Sequence, residues 1–134
     1  MPPKDTILIA DDDRVMVAML AEFLRKKGFN VVTAFDSMQA MLGVRNTTPK
    51  AVVLDVNMPG GNGVDVLRKI RAMNKTSQLP VLIITASTDP GIADEARGLG
   101  ADEFLTKPVN LPEFHAALLR ALGRPPEETE GGPA

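Results

Sequence analysis

The stretch ILIADDD, residues 7–13, decides the fold: four apolar residues in a row run straight into three carboxylates. A short, continuously apolar run suits a strand buried on both faces of a parallel sheet. Polar residues at its end suit the crevice where such sheets bind ligands. The pattern recurs. AVVLD (51–55) ends on Asp55 and VLIIT (81–85) ends on Thr85, while the weaker EFLT (103–106) is followed at once by Lys107-Pro108. A further apolar run at 31–34 makes five.

Amphipathic segments lie between the runs. Val15, Met19, Leu20, Phe23 and Leu24 form one apolar stripe, and Gly28 after Lys26-Lys27 is a helix stop with cations in its last turn. Ser37 is placed to cap a second helix carrying Met38, Met41, Leu42 and Val44. Val64, Val66, Leu67 and Ile70 mark a third, ending before Leu79-Pro80. Ile92, Ala96 and Leu99 mark a short fourth, closed by Gly98 or Gly100. Phe114, Leu118, Leu119 and Leu122 mark a fifth, ending at Gly123. Five strands alternating with five helices predict a doubly wound α/β sheet. Right-handed crossovers and a single reversal make the flavodoxin-like order 2-1-3-4-5 the natural choice. Strands 1 and 3 then lie side by side, which brings Asp11, Asp12 and Asp55 together.

Bulk numbers narrow the function classes. The 134 residues suffice for one domain with its own core, assigned to 5–123. RPPEETEGGPA (124–134) reads as a disordered Pro/Gly/Glu-rich tail or the start of a linker. A formal net charge of −2 asks for neither nucleic acid nor an anionic membrane as partner. With no cysteine, disulfides, thiolate catalysis and Cys-based zinc sites are excluded. The start, MPPKDTILIADDD, is too short on apolar residues for a signal-peptide core. No run approaches the roughly 18 apolar residues of a membrane span, so the expected location is the cytoplasm.

The strand ends carry the chemistry. Clustered carboxylates repel one another, and a divalent cation relieves them. Mg²⁺ takes oxygen ligands, typically one or two carboxylates with waters and phosphate oxygens. Of the three adjacent aspartates, Asp13 is the best placed to cap the first helix, leaving Asp11 and Asp12 for metal. Asp55 precedes VNMPGGNG (56–63), too rich in Gly, Pro and Asn for helix, hence a shaped loop. Such a loop leaves the carboxylate accessible and can offer a backbone carbonyl to the metal. A carboxylate so placed can attack phosphorus and form an acyl phosphate. Thr85 and Lys107 add the positioned donors that the equatorial phosphoryl oxygens require. Singly, each is ordinary: an aspartate before a loop, a β-branched strand residue, a surface lysine. Their convergence at the strand ends gives them weight.

With these residues in place, the chain resembles the receiver domain of two-component response regulators over roughly residues 6–123. ILIADDD, VVLDVNMPGGNG, VLIITAS and GADEFLTKP stand in that family's order and at its spacing. The resemblance implies that Asp55 accepts a phosphoryl group from a phosphohistidine on a sensor kinase or phosphotransfer protein. It implies that Asp12 and Asp55 bind Mg²⁺ directly, Asp11 directly or through water, and that the Asn57 carbonyl completes the set. Thr85 is then the switch hydroxyl, Lys107 the phosphate-binding cation, and Lys107-Pro108 a candidate cis bond. Phe104 reads either as the family's switch aromatic or as a plain core residue of the fifth strand. Asn57 and Ser87 fall where the family tunes loss of the phosphoryl group. The face formed by helix 4, strand 5 and helix 5 is the expected effector surface, with the chain a monomer or a phosphorylation-dependent dimer. Beyond its own phosphorylation and dephosphorylation no catalysis is expected, nor direct contact with nucleic acid or membrane. His115, the only histidine, is expected at the surface or facing a partner, and the seven methionines mostly at helical core positions.

One enzyme class competes. Asp11-Asp12-Asp13-Arg14-Val15 also satisfies D-x-D-x-[TV], the nucleophile motif of haloacid-dehalogenase-type phosphohydrolases. Asp11 would be the nucleophile and Asp13 the acid/base, with Thr85 and Lys107 in the second and third motifs. No aspartate follows Lys107 to supply the fourth, and Asp55 is left without a role. A degenerate receiver acting only as an interaction module is disfavoured by the presence of Asp55, Thr85 and Lys107.

Overall fold

The structure, a computed structural model, describes residues 4–58, 61–86 and 89–126. Five strands, β1 (Thr6–Ala10), β2 (Asn30–Ala34), β3 (Ala51–Leu54), β4 (Val81–Thr85) and β5 (Glu103–Thr106), alternate with five helices. These are α1 (Arg14–Lys26), α2 (Ser37–Thr47), α3 (Gly63–Ala72), α4 (Pro90–Gly98) and α5 (Leu111–Ala121). The sheet is parallel throughout, in the order 2-1-3-4-5. This is the flavodoxin-like arrangement that the alternation predicts.

Side-chain alternation along the strands splits the core into two layers. Ile7, Ile9, Val53, Leu82 and Ile84 face α1 and α5, meeting Leu20, Leu24, Phe114 and Leu118. Leu8, Val52, Leu54, Val81 and Ile83 face the other way, onto Met41 and Val44 of α2, Leu67 and Ile70 of α3, and Ala96 of α4. Both faces are covered, which is why the three central strands read as unbroken apolar runs. Among the described residues no helix is long and apolar enough to cross a membrane.

Several details depart from expectation. The buried face of α1 is Met16, Val17, Leu20, Ala21 and Leu24, while Val15 is 82% and Met19 41% exposed. The i, i+3, i+4, i+7 spacing of 17, 20, 21 and 24 is the stripe that meets the sheet, and it turns Val15 and Met19 outward. Asp36, not Ser37, caps α2: its carboxylate accepts from the Gln39 N–H at 2.7 Å, and Gln39 Oε1 accepts from the Phe35 N–H at 2.9 Å. This variant of the capping box was visible as Asp-x-x-Gln. Met38 (74% exposed) and Leu42 (49%) lie outside the core, so the methionines divide between interior and surface. His115 is buried, its ring edge-on to Phe23 with centroids 5.5 Å apart. Because α5 packs beside α1, its flank is covered as well as its sheet-facing side. Arg124, the first residue of the segment read as a tail, stacks on Phe29 and pairs with Asp5. Residues 127–134 lie outside the described residues, as does Ser87.

Candidate functional site

Strand register assembles the site before any side chain is considered. Ala10 of β1 pairs with Leu54 of β3, so the next residues, Asp11 and Asp55, leave the sheet side by side. Thr85 of β4 pairs with Thr106 of β5, and the Lys107 N–H donates to the Thr85 carbonyl at 2.9 Å. The Lys107-Pro108 bond is cis, as anticipated. All of these groups therefore reach the carboxyl edge of the sheet from its three central strands and β5.

Each acid is held differently. Asp11 is 1% exposed, and its Oδ1 accepts from the Asp13 N–H at 2.9 Å. Asp13 turns away and caps α1, accepting from the Met16 N–H at 3.1 Å. Asp12 is exposed. Asp55 is 3% exposed, its Oδ1 accepting from the Asn57 N–H at 3.2 Å and its Oδ2 from Lys107 Nζ at 3.2 Å. Lys107 Nζ also lies 2.9 Å from Asp11 Oδ2, so one ammonium bridges two carboxylates. That second contact is an ion pair without hydrogen-bond alignment: Asp11 Oδ2 is buried and lacks a hydrogen bond among the described residues.

These contacts move the pKa values. Burial pushes the Asp55 carboxyl up and the Asp11 charge adds to it, against the Asn57 N–H and the Lys107 ammonium. Burial pulls the Lys107 ammonium down, but the Asp11 and Asp55 carboxylates outweigh it and its pKa rises. Three carboxylates face a single ammonium, which leaves an excess of negative charge in a partly buried place.

A hard cation fits that excess. Asp11, Asp12 and Asp55 each offer an oxygen, all within 4.8 Å of one another. Oxygen-only donors, together with the buried Asp11 Oδ2, match the preference of Mg²⁺. After Asp55, Asn57–Met58 pairs antiparallel with Gly61–Asn62, while residues 59 and 60 lie outside the described residues. Gly63 opens α3 so close to β3 that a Cβ there would lie 2.0 Å from the Asp55 carbonyl oxygen. Neither this glycine nor the Asn57 N–H was singled out from sequence, although the glycine-rich run was the available signal.

Thr85 is fully buried at the same edge. Phe104 stands apart from the acids, half-buried on β5, with the Arg97 guanidinium 5.3 Å from its ring centroid. It packs against the α2–α3–α4 layer.

Known proteins agree with this architecture. Residues 7–119 match the family described as Response regulator receiver domain. Transcriptional regulatory protein PrrA of Mycobacterium leprae is 41% identical over 122 residues, covering 87% of this chain and 51% of that protein. DNA-binding response regulator MtrA of Mycobacterium tuberculosis is 38% identical over 127 residues, covering 93% and 54%. The chain thus spans about half the length of these curated relatives. Among solved structures, the non-phosphorylated HemR receiver domain of Leptospira biflexa superposes with a TM-score of 0.82 at 32% identity, covering 94% of this chain and all of that one. Chemotaxis response regulator CheY4 of Vibrio cholerae gives 0.83 at 27% identity, covering 89% and 99%. The dehalogenase alternative finds no support: Asp13, its acid/base, is committed to the α1 cap.

Proposed function

This chain belongs to the response regulator receiver domain family of two-component systems, and on that premise we propose that it is a phosphoacceptor switch in which Asp55 takes a phosphoryl group from a kinase phosphohistidine. The observation carrying this is the setting of Asp55: buried at a strand end, bonded to the Lys107 ammonium, and beside two further carboxylates. An Asp55 carboxylate oxygen attacks phosphorus; the new O–P bond forms as the P–N bond breaks, and imidazole leaves with the electron pair. Mg²⁺ held by Asp11, Asp12, Asp55 and the Asn57 carbonyl would supply the positive charge that lets an anionic nucleophile approach an anionic phosphoryl group. Lys107, already between Asp11 and Asp55, neutralises one phosphoryl oxygen, and the Thr85 hydroxyl donates to another. Hydrolysis of the acyl phosphate resets the switch.

The partners follow from the same role. A sensor histidine kinase or phosphotransfer protein loads Asp55, and an effector reads the α4–β5–α5 face, where Phe104 and Arg97 stack. The curated relatives carry names of DNA-binding and transcriptional regulators. For these 134 residues, with a net charge of −2, we assign the signal-receiving part, without its own nucleic-acid contact and acting in the cytoplasm. No turnover beyond self-phosphorylation and dephosphorylation is assigned.

The test is beryllofluoride, an acyl-phosphate mimic, titrated with Mg²⁺ and followed by NMR. Shifts at Asp55, Thr85 and Phe104 that need both reagents and vanish in Asp55→Asn are expected. Shifts that survive Asp55→Asn and disappear in Asp11→Asn would move the nucleophile and defeat the assignment.

A further inference from the structure

The sheet face opposite α1 and α5 carries a second feature, remote from the carboxylate cluster in its chemistry. Two cavities, of about 320 and 360 Å³, lie along α2 and share Arg45 in their walls. The first is lined by Val44, Met73 and Leu79 with Lys75, the second by Met38, Met41 and Leu42 with Lys69. Together they make one groove between α2 and α3. No carboxylate lines either part, and α2 itself contains no acidic residue.

Charge on α3 is sorted by side. Arg68 pairs with Asp65 at 2.7 Å and with Glu95 of α4 at 3.2 Å. Arg71 pairs with Asp102 and donates to the carbonyls of Leu79 and Gly100. The acids thus serve the α4 side. Arg45, Lys69 and Lys75, on the α2 side, make no ion pair among the described residues. Beneath these cations lies apolar surface that the fold leaves open: Met38 is 74% and Leu42 49% exposed.

We propose that the α2–α3 groove docks an acidic amphipathic helix of a partner protein. Flexible, polarisable methionines line surfaces that accept helices, and an amphipathic helix reads such a groove through residues at i, i+3, i+4 and i+7. The 11 residues of α2 span about 16 Å, enough for roughly three turns of partner helix. Arg45 sits where the two apolar pockets meet, so carboxylates flanking the apolar stripe find a cation on each side. A second copy of the chain is a poor occupant. Its exposed apolar residues on α1, Val15 and Met19, are accompanied by Arg14 and Arg25, and the one acid of α1, Glu22, already pairs with Lys26, so the helix would set net positive charge against cations. The groove uses none of the residues assigned to Asp55 chemistry, so it stands or falls separately.

The probe is a fluorescein-labelled, amidated helical peptide of roughly 14 residues, with leucine at i, i+3, i+4 and i+7 and glutamate elsewhere. A scrambled peptide of equal composition is the control. We expect saturable anisotropy with the helix alone, weakened by salt, and NMR shifts centred on Met38, Leu42, Arg45 and Lys69. Arg45→Glu with Lys69→Glu, both at exposed positions, should weaken binding at least tenfold, and Leu42→Ser should do so without altering charge. Equal binding of the scrambled peptide, or shifts confined to α4–β5–α5, would overturn the proposal. So would self-association in sedimentation that Leu42→Ser abolishes, because a second copy would then be the occupant. Preference for anionic phospholipid vesicles over the peptide would overturn it in favour of a membrane.

Discussion

Asp55 is held in tension by opposing neighbours. Burial and the neighbouring Asp11 raise its pKa, while Lys107 and the Asn57 N–H oppose them. A carboxyl raised in the folded state contributes stability that is present below its unfolded pKa and lost as pH rises through the folded value. At neutral pH the ionised Asp55 therefore works against folding. In metal-free protein, Asp55→Asn should raise stability by about 1 kcal/mol, a shift of a few degrees in Tm. Thermal melts in chelator should show the mutant's advantage growing as pH rises through the carboxylate range and then levelling off. An advantage largest at acid pH would contradict the sign. Lys107 is raised as well, so its contribution is present below the ordinary lysine value of 10.5 and lost above it. Lys107→Ala leaves Asp11 and Asp55 facing each other and should cost about 1–3 kcal/mol in chelator. Added Mg²⁺ should restore part of that loss, readable as a larger metal-induced rise in Tm than the parent shows.

Element boundaries are governed by single residues of the right shape. Gly63 lets α3 start against β3, its N–H donating to the Val56 carbonyl at 2.8 Å. With a Cβ there 2.0 Å from the Asp55 carbonyl oxygen, Gly63→Ala must displace backbone at the site. A loss of about 2–4 kcal/mol by chemical denaturation is expected, together with weaker beryllofluoride binding. A near-neutral effect would mean that the loop yields. The end of α2 shows the converse. Thr48 occupies the left-handed region at φ +43°, where a β-branched side chain is strained, whereas Gly28, Gly100 and Gly123 occupy it just past α1, α4 and α5. Thr48→Gly should stabilise the chain by about 0.5–1 kcal/mol, measurable as a higher denaturation midpoint with unchanged slope.

Across the whole molecule, the proposed switch must connect the acid cluster to a surface on β5. Thr85 lies fully buried at the end of β4 and Phe104 is half-buried on β5, held under Arg97. In the proposed switch, phosphorylation has only to bias two conformations by a few kcal/mol, and Thr85 is the proposed sensing group. Thr85→Ala should still bind beryllofluoride through Asp55 but lose the NMR response at Phe104. A Phe104 response unchanged by that mutation would rule Thr85 out as the connection and leave Phe104 a packing residue.

The apolar runs ending on Asp11, Asp55 and Thr85 determined the sheet, its order and the residue types at its edge, because strands buried on both faces must be apolar throughout. The run of three aspartates before a helix also sufficed to expect Asp13 as a cap, a local preference of the backbone, whereas the cis bond at Lys107-Pro108 was expected only from the family resemblance. Tertiary structure alone decided the rest. Which face of α1 is buried, the burial of His115 against Phe23, and the stacking of Arg97 on Phe104 depend on neighbouring elements. So does the bridging of Asp11 and Asp55 by one lysine ammonium, which lies 52 positions from Asp55 and still further from Asp11 in sequence. Periodicity records that a helix has an apolar side. It does not record how far the helix rolls, or which charged group from a distant strand arrives opposite, because those are settled by packing between segments.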